Sequence, residues 1–366
     1  MVLIHGTERT GMVLATAMDH NIDSHCPHYY KTDCDKDYGQ VVFTIDGQPE
    51  RPIRLTKYIT YHTSTRAAAK ELGRRAEWTL DRITAQGFAE LLADQERYMN
   101  DFWQRSDVRV SNIRADRSRL SRVEIQQAIR VNLFHILQAS ARAENNGVAA
   151  KGLTGQAYEG HYFWDTEIYL LPFLIYTSPQ IAKNVLRFRY DMLDKARARA
   201  RELSHRGALF PWRTINGEEA SAYYEAGTAQ YHINADIAYA LRKYVNATGD
   251  DEFLFKYGAE ILVETARLWY DLGFFSPRKG GQFCINGVTG PDEYKTVVNN
   301  NTYTNLMARE NLRYAVETVD LLQTRRPDVF EALKQKTSLE VQELDAWRSA
   351  ADKMYIPFDA ETGIYP

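Results

Sequence analysis

The helical character of this chain is set by the stretch Ser121-Arg-Val-Glu-Ile-Gln-Gln-Ala-Ile-Arg-Val-Asn-Leu-Phe-His-Ile-Leu137. Ser121 and Glu124 have the spacing of a capping box, in which two side chains accept hydrogen bonds from backbone N–H groups at a helix start. The apolar residues that follow recur on one face of a helix, namely Ile125, Ile129, Leu133, Ile136 and Leu137. The sequence therefore predicts a helix that begins here and packs by one side.

The helical pattern begins at about Ser64 and continues through the rest of the chain. Pro179 suits the first turn of a helix, and the preceding Ser178 is predicted to cap it. Further helices are predicted at 65–79, 87–103, 233–241 and 306–322, the last ended by Pro327, with one or two more over 253–272. No strand alternates with these helices, so the pattern favours packed helix pairs over a doubly wound α/β fold.

The first 63 residues instead alternate with the period of strands. Strands are predicted at Gly11–Met18, Val41–Ile45 and Ile53–Tyr61. The last two are separated by Asp46-Gly47 and two prolines, and we expect them to pair through a longer connection. The N-terminal region is thus predicted to be a half-buried antiparallel sheet.

Composition narrows the class of protein. The 366 residues carry a net charge of −3, which gives no general attraction to nucleic acid. Mean hydropathy is negative, and no apolar run is long enough to span a membrane. Three cysteines and the lack of a signal-like start favour a reducing cytoplasm. His25-Cys-Pro-His28 with Cys34 matches no common zinc spacing, so loop residues are favoured over a metal site.

A loop with two carboxylates and many amides is the first candidate for chemistry: Gly287-Val-Thr-Gly-Pro-Asp-Glu-Tyr-Lys-Thr-Val-Val-Asn-Asn-Asn-Thr-Tyr-Thr-Asn305. Its glycines and Pro291 predict a stiff turn that holds Glu293. Its asparagines offer the donors and acceptors that a hydroxyl-rich ligand needs. The alternative is an ordinary turn whose asparagines bond their own backbone.

Two more loops combine aromatic and acidic residues. In the first, Trp164 and Asp165 form a physically suitable sugar-binding pair, since a ring covers C–H faces and a carboxylate accepts from hydroxyls. The alternative is a buried Trp beside an Asp165 that caps the next helix. In the second loop, the candidates for an acceptor site are Glu218, Glu219, His232 and Asn234. The alternative is that the two acids cap helices and that the histidine is a hydrogen-bonded core residue.

Several motifs, taken together, resemble those of glycoside hydrolase family 65. They are Gly160-His-Tyr-Phe-Trp-Asp-Thr-Glu167, Gly217-Glu-Glu219, Ala229-Gln-Tyr-His-Ile-Asn-Ala-Asp-Ile237 and Thr289-Gly-Pro-Asp-Glu-Tyr294 with Asn299–Asn305. That family includes inverting disaccharide phosphorylases. The resemblance implies an N-terminal β-sandwich, a helical linker and a catalytic (α/α)6 barrel. It implies domains at 1–63, 64–115 and 116–366, with both the sandwich and the barrel only partial in this chain.

The resemblance also assigns roles and partners. Glu293 matches the general acid, and Trp164 with Asp165 matches the pair that holds the glucosyl ring. Further substrate-binding residues are then expected at His161, Glu219, His232 and Asn301. The implied partners are an α-linked glucose disaccharide and inorganic phosphate as co-substrate, with no other cofactor, and a homodimer is compatible with the family.

Two questions stay open at this level. The segment Gly217–Tyr224 and the segment from Gly227 to His232 resemble those of kojibiose and nigerose phosphorylases more than those of maltose phosphorylases. Of these, the resemblance is taken to imply a kojibiose-like substrate. A trehalase-type hydrolase and a non-catalytic sugar-binding module remain as alternatives. The family's Lys-Gln sugar contact and Ser/His phosphate site are expected beyond Pro366, so the chain resembles an internal piece of a longer enzyme.

Overall fold

A computed structural model of the protein describes residues 1–111, 121–141, 147–222 and 224–365. The chain divides into two compact units, Met1–Asp107 and Val108–Pro366. The predicted domain boundary between residues 115 and 116 lies outside the described residues. The one between residues 63 and 64 falls within the first unit and stays a prediction.

The first unit combines antiparallel strands with two helices. Its elements are β1 (Val2–Gly6), β2 (Val13–Ser24), β3 (His28–Cys34), β4 (Gly39–Ile45), β5 (Ile53–Ser64), α1 (Ala69–Gln86) and α2 (Phe88–Ser106). One sheet has the order β1-β2-β5, and β3 pairs with β4 in a separate two-stranded sheet. The predicted antiparallel sheet is therefore confirmed.

The predicted pairing between Val41–Ile45 and Ile53–Tyr61 is wrong. Val41 lies opposite Thr32 of β3, while Tyr61 lies opposite Thr16 of β2. Prolines in the connection lack the N–H that a ladder requires, and β2 and β5 can pair along twelve positions each. The stretch from His28 to Cys34, expected to be a loop, is strand β3.

Helix α1 covers one face of the three-stranded sheet. Ala15 and Ala17 of β2 are fully buried and lie in one apolar cluster with Tyr58 and Leu72. Small side chains on the strand let the helix approach closely, and the Thr60 hydroxyl donates to the carbonyl of Ala76 at 3.0 Å. Strand β5 therefore buries its Tyr58 and Thr60 face. Its other face remains substantially exposed at Ile53, Leu55, Ile59 and Tyr61.

The second unit is almost entirely helical. Its elements are α3 (Arg122–Ser140), α4 (Leu171–Thr177), α5 (Pro179–Asp191), α6 (Leu193–Glu202), α7 (Glu225–Thr228), α8 (Ile233–Thr248), α9 (Asp251–Phe253), α10 (Ala259–Leu272), β6 (Phe274–Ser276), β7 (Gln282–Cys284), α11 (Thr302–Arg325), α12 (Pro327–Thr337) and α13 (Val341–Asp352). Helix α11 packs against α8, α10, α12 and α13. No helix among the described residues has the length and apolar content to cross a bilayer.

Large buried side chains form the core of this unit. Trp269 and Trp347 are almost completely buried, and the Trp269 Nε1 group donates to Asn311 Oδ1 at 2.9 Å. Buried indole N–H groups need such a partner. Long connections between the helices, rather than the helices themselves, carry most of the candidate site residues.

Local helix signals in the sequence were mostly accurate. The capping box of Ser121 and Glu124 is present at the start of α3. Helix α5 begins at Pro179, but the Ser178 side chain makes no capping bond, so that cap was predicted wrongly. The one or two helices expected over 253–272 are α9 and α10, joined by a π-helical turn, Leu254–Gly258.

Candidate functional site

The turn that carries Glu293 is fastened to the segment before α8. Thr289 is fully buried; its N–H donates to the carbonyl of Ala229 at 2.9 Å, and its hydroxyl donates to the carbonyl of Glu225 at 2.8 Å. Val288 and Val298 exchange two backbone hydrogen bonds and close the loop at its base. The base of the turn is thus fixed by hydrogen bonds at Val288, Thr289 and Val298, while the stiffening of the turn by Gly290 and Pro291 stays a prediction.

Gly290 is required by a close approach. A Cβ at this position would lie 2.6 Å from Asn301 Nδ2, so a side chain there would displace Asn301. Asn301 is the N-cap of α11, and its Oδ1 accepts from the Thr304 N–H at 3.0 Å. The predicted site residue Asn301 therefore connects the turn to a helix start.

The neighbouring asparagine amides form hydrogen bonds to backbone groups of the protein. Asn300 Oδ1 accepts from the Ile285 N–H at 3.2 Å, and Asn299 Oδ1 accepts from the Gly287 N–H at 3.2 Å. The Asn305 amide donates to the carbonyl of Tyr355 at 2.7 Å. The Asn299 contact matches the ordinary-turn alternative, in which asparagines bond their own loop, whereas Asn300 and Asn305 bond residues outside the loop.

The Glu293 side chain is exposed, but one of its oxygens is held. Gln230 Nε2 donates to Glu293 Oε1 at 2.9 Å. The same nitrogen donates to the carbonyl of Ala226 at 2.7 Å. Gln230 itself is 3% exposed, so a nearly buried amide holds the carboxylate of the exposed candidate acid.

The Trp164–Asp165 turn rests on a buried ion pair. Arg189 donates from Nε to Glu167 Oε1 and from Nη2 to Oε2, both at 2.8 Å, and the Tyr162 hydroxyl donates to Oε1 at 2.7 Å. Glu167 is fully buried and Arg189 is 1% exposed. Burial alone would lower the pKa of Arg189, but the charges and hydrogen bonds of Glu167 and Tyr162 together outweigh it and the pKa is raised. Burial, with the same charge, also raises the pKa of Tyr162 well above its usual value.

Asp165 does not act as a helix cap. Its side chain makes no capping bond to the turn that follows, and it is exposed. It lines a cavity of about 430 Å³ with Lys151, Thr154 and Tyr169 among others. This volume is in the range of roughly 300–1,000 Å³ usual for small-molecule sites. Of the two interpretations of Asp165, the capping one is excluded.

His232 connects the Trp164 turn to helix α11. Its ring meets the Trp164 ring edge to face, with centroids 4.8 Å apart. His232 Nδ1 lies 2.7 Å from Asp236 Oδ2, and the Tyr303 hydroxyl donates to Asp236 Oδ1 at 2.7 Å. Burial raises the pKa of Asp236, although its bonds to His232 and Tyr303 oppose that rise. Among the described residues, none lies within hydrogen-bond distance of His232 Nε2.

Glu219 organises the backbone of the second candidate loop. Its Oε2 accepts from the Trp212 N–H at 2.9 Å, and its Oε1 accepts from the Arg213 N–H at 3.1 Å. Arg199 Nη1 adds an ion pair at 2.7 Å. Tyr223, in the predicted acceptor segment, lies outside the described residues. Glu219 thus holds Trp212, whose ring packs against Phe163 with centroids 5.6 Å apart.

The remaining candidates are less closely connected. His161 is 8% exposed, and its Nδ1 lies 2.7 Å from the carbonyl of Tyr158 and 3.2 Å from Arg213 Nη2. Glu218 forms an exposed ion pair with Lys195 at 3.1 Å. Asn234 is buried, and its side chain forms hydrogen bonds to the backbone of Phe210 and Ala208. Asn234 therefore has a structural role in holding that backbone.

Another cavity, of about 1,110 Å³, lies beside the Glu293 loop. Its lining includes Asp292, Asn301 and Tyr355 but not Glu293. We place the candidate site at the Trp164, His232 and Glu293 contacts because these connect the acidic and aromatic candidates. Within the described ranges, no three His, Cys, Asp or Glu side chains are grouped to hold a metal ion.

Several residues of this network were not predicted from the sequence. They are Glu167, Arg189, Gln230, Asp236 and Tyr303. The spacing of His232 and Asp236, four apart on a helix, was a readable signal for contact. Glu167 and Arg189 are 22 positions apart, and Gln230 and Glu293 are 63 apart, so only the fold brings them together.

Comparisons with known proteins cover both units. The profile described as the glycosyl hydrolase family 65 central catalytic domain matches residues 130–366, and the profile of that family's N-terminal domain matches residues 1–102. An alpha,alpha-trehalose phosphorylase from Thermoanaerobacter brockii is 44% identical over 364 residues, covering 100% of this chain and 46% of that protein. A kojibiose phosphorylase from Halothermothrix orenii is 36% identical over 308 residues, covering 79% of this chain and 38% of that protein.

The fold comparison agrees with these matches. A solved structure from the human microbiome, provisionally named a kojibiose phosphorylase, superimposes with a TM-score of 0.85 at 30% identity. The match covers 100% of this chain and 46% of that structure. The chain thus spans less than half the length of the curated relatives described above. The expected mainly α fold, a partial (α/α)6 barrel after an antiparallel sheet, is confirmed.

Proposed function

Since this chain belongs to glycosyl hydrolase family 65, we propose that it supplies the general acid and part of the sugar site of an inverting disaccharide phosphorylase. The relatives named as phosphorylases act on disaccharides of glucose, since they are a trehalose phosphorylase and a kojibiose phosphorylase. The proposed partners are an α-linked glucose disaccharide and inorganic phosphate, without a further cofactor.

The observation that carries the proposal is a path of contacts between the two candidate motifs. The Trp164 ring packs on His232, His232 lies two residues after Gln230, and Gln230 donates to Glu293. Trp164 and Glu293 are thus linked through residues 230–232, and we propose that a glucosyl ring covered by Trp164 lies within reach of the acid. Asp165, exposed beside Trp164 and lining a cavity, is suited to accept hydrogen bonds from sugar hydroxyls.

The proposed reaction needs one acid from the protein. A phosphate oxygen forms a bond to the anomeric carbon from the face opposite the leaving group, and the glycosidic bond breaks. The proton of Glu293 goes to the leaving oxygen, so the products are β-glucose 1-phosphate and glucose. Phosphate is already an anionic nucleophile, whereas an inverting hydrolase needs a second carboxylate, roughly 6.5–9.5 Å from the acid, to activate water.

Glu219, Asn301 and His161 are the other predicted binding residues outside the path of contacts. Glu219 fixes the backbone of Trp212, which extends the aromatic surface next to Phe163. Asn301 lines the larger cavity beside the Glu293 loop, and His161 begins the segment that leads to Trp164. We propose that these three residues shape the acceptor side of the site.

The disaccharide linkage is a finer question. The segment Gly217–Tyr224 favours kojibiose, whereas identity is higher to the trehalose phosphorylase, at 44%, than to the kojibiose phosphorylase, at 36%. We therefore propose trehalose as the first substrate to test, followed by kojibiose.

The test uses the longest reading frame that contains this chain, incubated with trehalose, kojibiose, nigerose or maltose, with and without phosphate. The proposal predicts phosphate-dependent glucose 1-phosphate from one of these sugars, which also identifies the linkage. Glucose released equally without phosphate would overturn it in favour of a hydrolase. Sugar binding without turnover on all four would overturn it in favour of a non-catalytic module.

A further inference from the structure

Gln230 is buried, and the nitrogen and oxygen of its side-chain amide differ in their hydrogen bonding. Its Nε2 group makes two hydrogen bonds, to the carbonyl of Ala226 and to Glu293 Oε1. Its Oε1 atom is buried and has no hydrogen-bond partner among the described residues. Burying a polar atom without a partner disfavours folding.

The orientation of the amide is fixed by the backbone. If the amide were turned over, Gln230 Oε1 would face the carbonyl oxygen of Ala226, and two acceptors would meet at about 2.7 Å. The Ala226 carbonyl therefore compels Gln230 to present an N–H group to Glu293. Because an N–H group can only donate, Glu293 Oε1 is an acceptor in this contact.

We propose that Gln230 is the positioning residue of the Glu293 carboxyl group. By occupying Oε1, it leaves Oε2 as the oxygen that carries the proton to be transferred. When that proton moves to the glycosidic oxygen, the negative charge that develops on Glu293 is stabilised by the Gln230 N–H group, an interaction that strengthens during the reaction. This inference rests on the proposed function of Glu293.

The backbone around the pair supports a fixed geometry. Thr289 binds the carbonyls of Ala229 and Glu225, which lie on either side of Ala226 in the chain. The Glu293 turn and the Gln230 segment are thus joined by two contacts besides the Gln230–Glu293 bond itself. The carboxyl group is exposed, so the amide is the contact that restricts its rotamer.

The test compares two substrates in the same protein samples, using the longest reading frame that contains the chain. One substrate is the disaccharide from which the protein forms glucose 1-phosphate, and the other is α-glucosyl fluoride, each with phosphate. Fluoride leaves without needing a full proton transfer, so its turnover depends little on how Glu293 is oriented. The variants are Gln230→Leu, which removes the donor, and Gln230→Glu, which keeps the size. Gln180→Leu on an exposed part of α5 is the control.

Both Gln230 variants are expected to lose about 10²-fold in kcat on the disaccharide, as when a donor to a developing charge is removed. We expect their KM for the disaccharide and their turnover of α-glucosyl fluoride to change less than about threefold. An equal loss on both substrates would show a merely structural role and overturn the inference, as would unchanged kcat on the disaccharide. If the wild type shows no phosphate-dependent turnover of either substrate, the proposed function fails and this inference fails with it.

Discussion

The two turns that carry the proposed sugar platform and the proposed acid are held in opposite ways. The Trp164–Asp165 turn rests on Glu167 and Arg189, a charge pair almost fully buried. The Glu293 turn is held by neutral contacts through Thr289, and its carboxylate remains exposed. This difference suits the two tasks, since a platform must not move, whereas an acid must exchange its proton with water after each turnover.

Breaking the buried pair gives the largest expected effect on stability. Glu167→Gln leaves the Arg189 guanidinium charged and uncompensated in the core, and we expect a loss of about 3–5 kcal/mol in the free energy of unfolding. Urea unfolding measures it. The matched control is Asp320→Asn, which breaks an exposed pair with Arg348 and should cost less than about 1 kcal/mol. Equal losses in both variants would contradict the buried-pair account.

Glu260 is intermediate between the buried and the exposed ion pairs, because its carboxylate is buried while its partners reach the surface. It binds Arg197 at 2.7 Å, Lys336 at 2.6 Å and the Tyr190 hydroxyl at 2.9 Å. Burial alone would raise the pKa of Glu260, but these bonds outweigh it and the pKa is lowered. We expect Glu260→Gln to cost about 2 kcal/mol at pH 7, the value of charge-assisted bonds.

The pH dependence of that contribution has a definite sign. Because the pKa of Glu260 is lower in the folded state than in the unfolded chain, its contribution is complete above the unfolded value and is lost as the pH falls through the folded value. The wild type should therefore lose stability more steeply than Glu260→Gln as the pH falls below the ordinary glutamate value of 4.5. Thermal unfolding at a series of pH values measures this, with Glu317→Gln at an exposed pair as the control. If stability fell in parallel with pH in the wild type and in Glu260→Gln, the charge of Glu260 would not stabilise the folded protein as described.

Gly290→Ala tests the neutral attachment of the Glu293 turn. The added Cβ would lie 2.6 Å from Asn301 Nδ2 and so displace the α11 cap, whose loss costs typically about 1 kcal/mol. The displaced turn should lower kcat by about 10-fold or more, since small misplacements of reacting groups are costly. Gly47→Ala, where the nearest atom is 3.8 Å away, is the control. Unchanged activity in Gly290→Ala would show that the turn tolerates the shift.

The smallest effect is expected at the connection between His232 and α11. Tyr303→Phe removes the hydroxyl bonded to Asp236 but keeps the ring beside His232. We expect a loss of about 1 kcal/mol in stability and less than a tenfold change in kcat. Denaturation and steady-state kinetics measure the two quantities. A loss of activity as large as that of Glu293→Gln would mean that Tyr303 acts on the reacting atoms directly.

The sequence predicted most features that depend on neighbouring residues, the Ser178 cap excepted, and failed where distant segments meet. The capping box at Ser121 and the start of α5 at Pro179 are local, and both were found. Strand pairing is not local, and β4 and β5 were wrongly paired for that reason. Likewise, motifs pointed to Trp164 and Glu293, but nothing in the spacing pointed to Arg189 beneath one or Gln230 beside the other. The roles of the site residues stay predictions.

The most direct test of the central proposal is the effect of Glu293→Gln on two leaving groups, with Glu331→Gln on exposed α12 as the control. The account predicts that Glu293→Gln lowers kcat for phosphorolysis of the active disaccharide by about 10²–10⁴-fold while phosphate-dependent turnover of α-glucosyl fluoride is largely retained. It also predicts β-glucose 1-phosphate as the product, identified by its anomeric proton signal. Substantial disaccharide turnover in Glu293→Gln, or an α-configured product from the wild type, would contradict it.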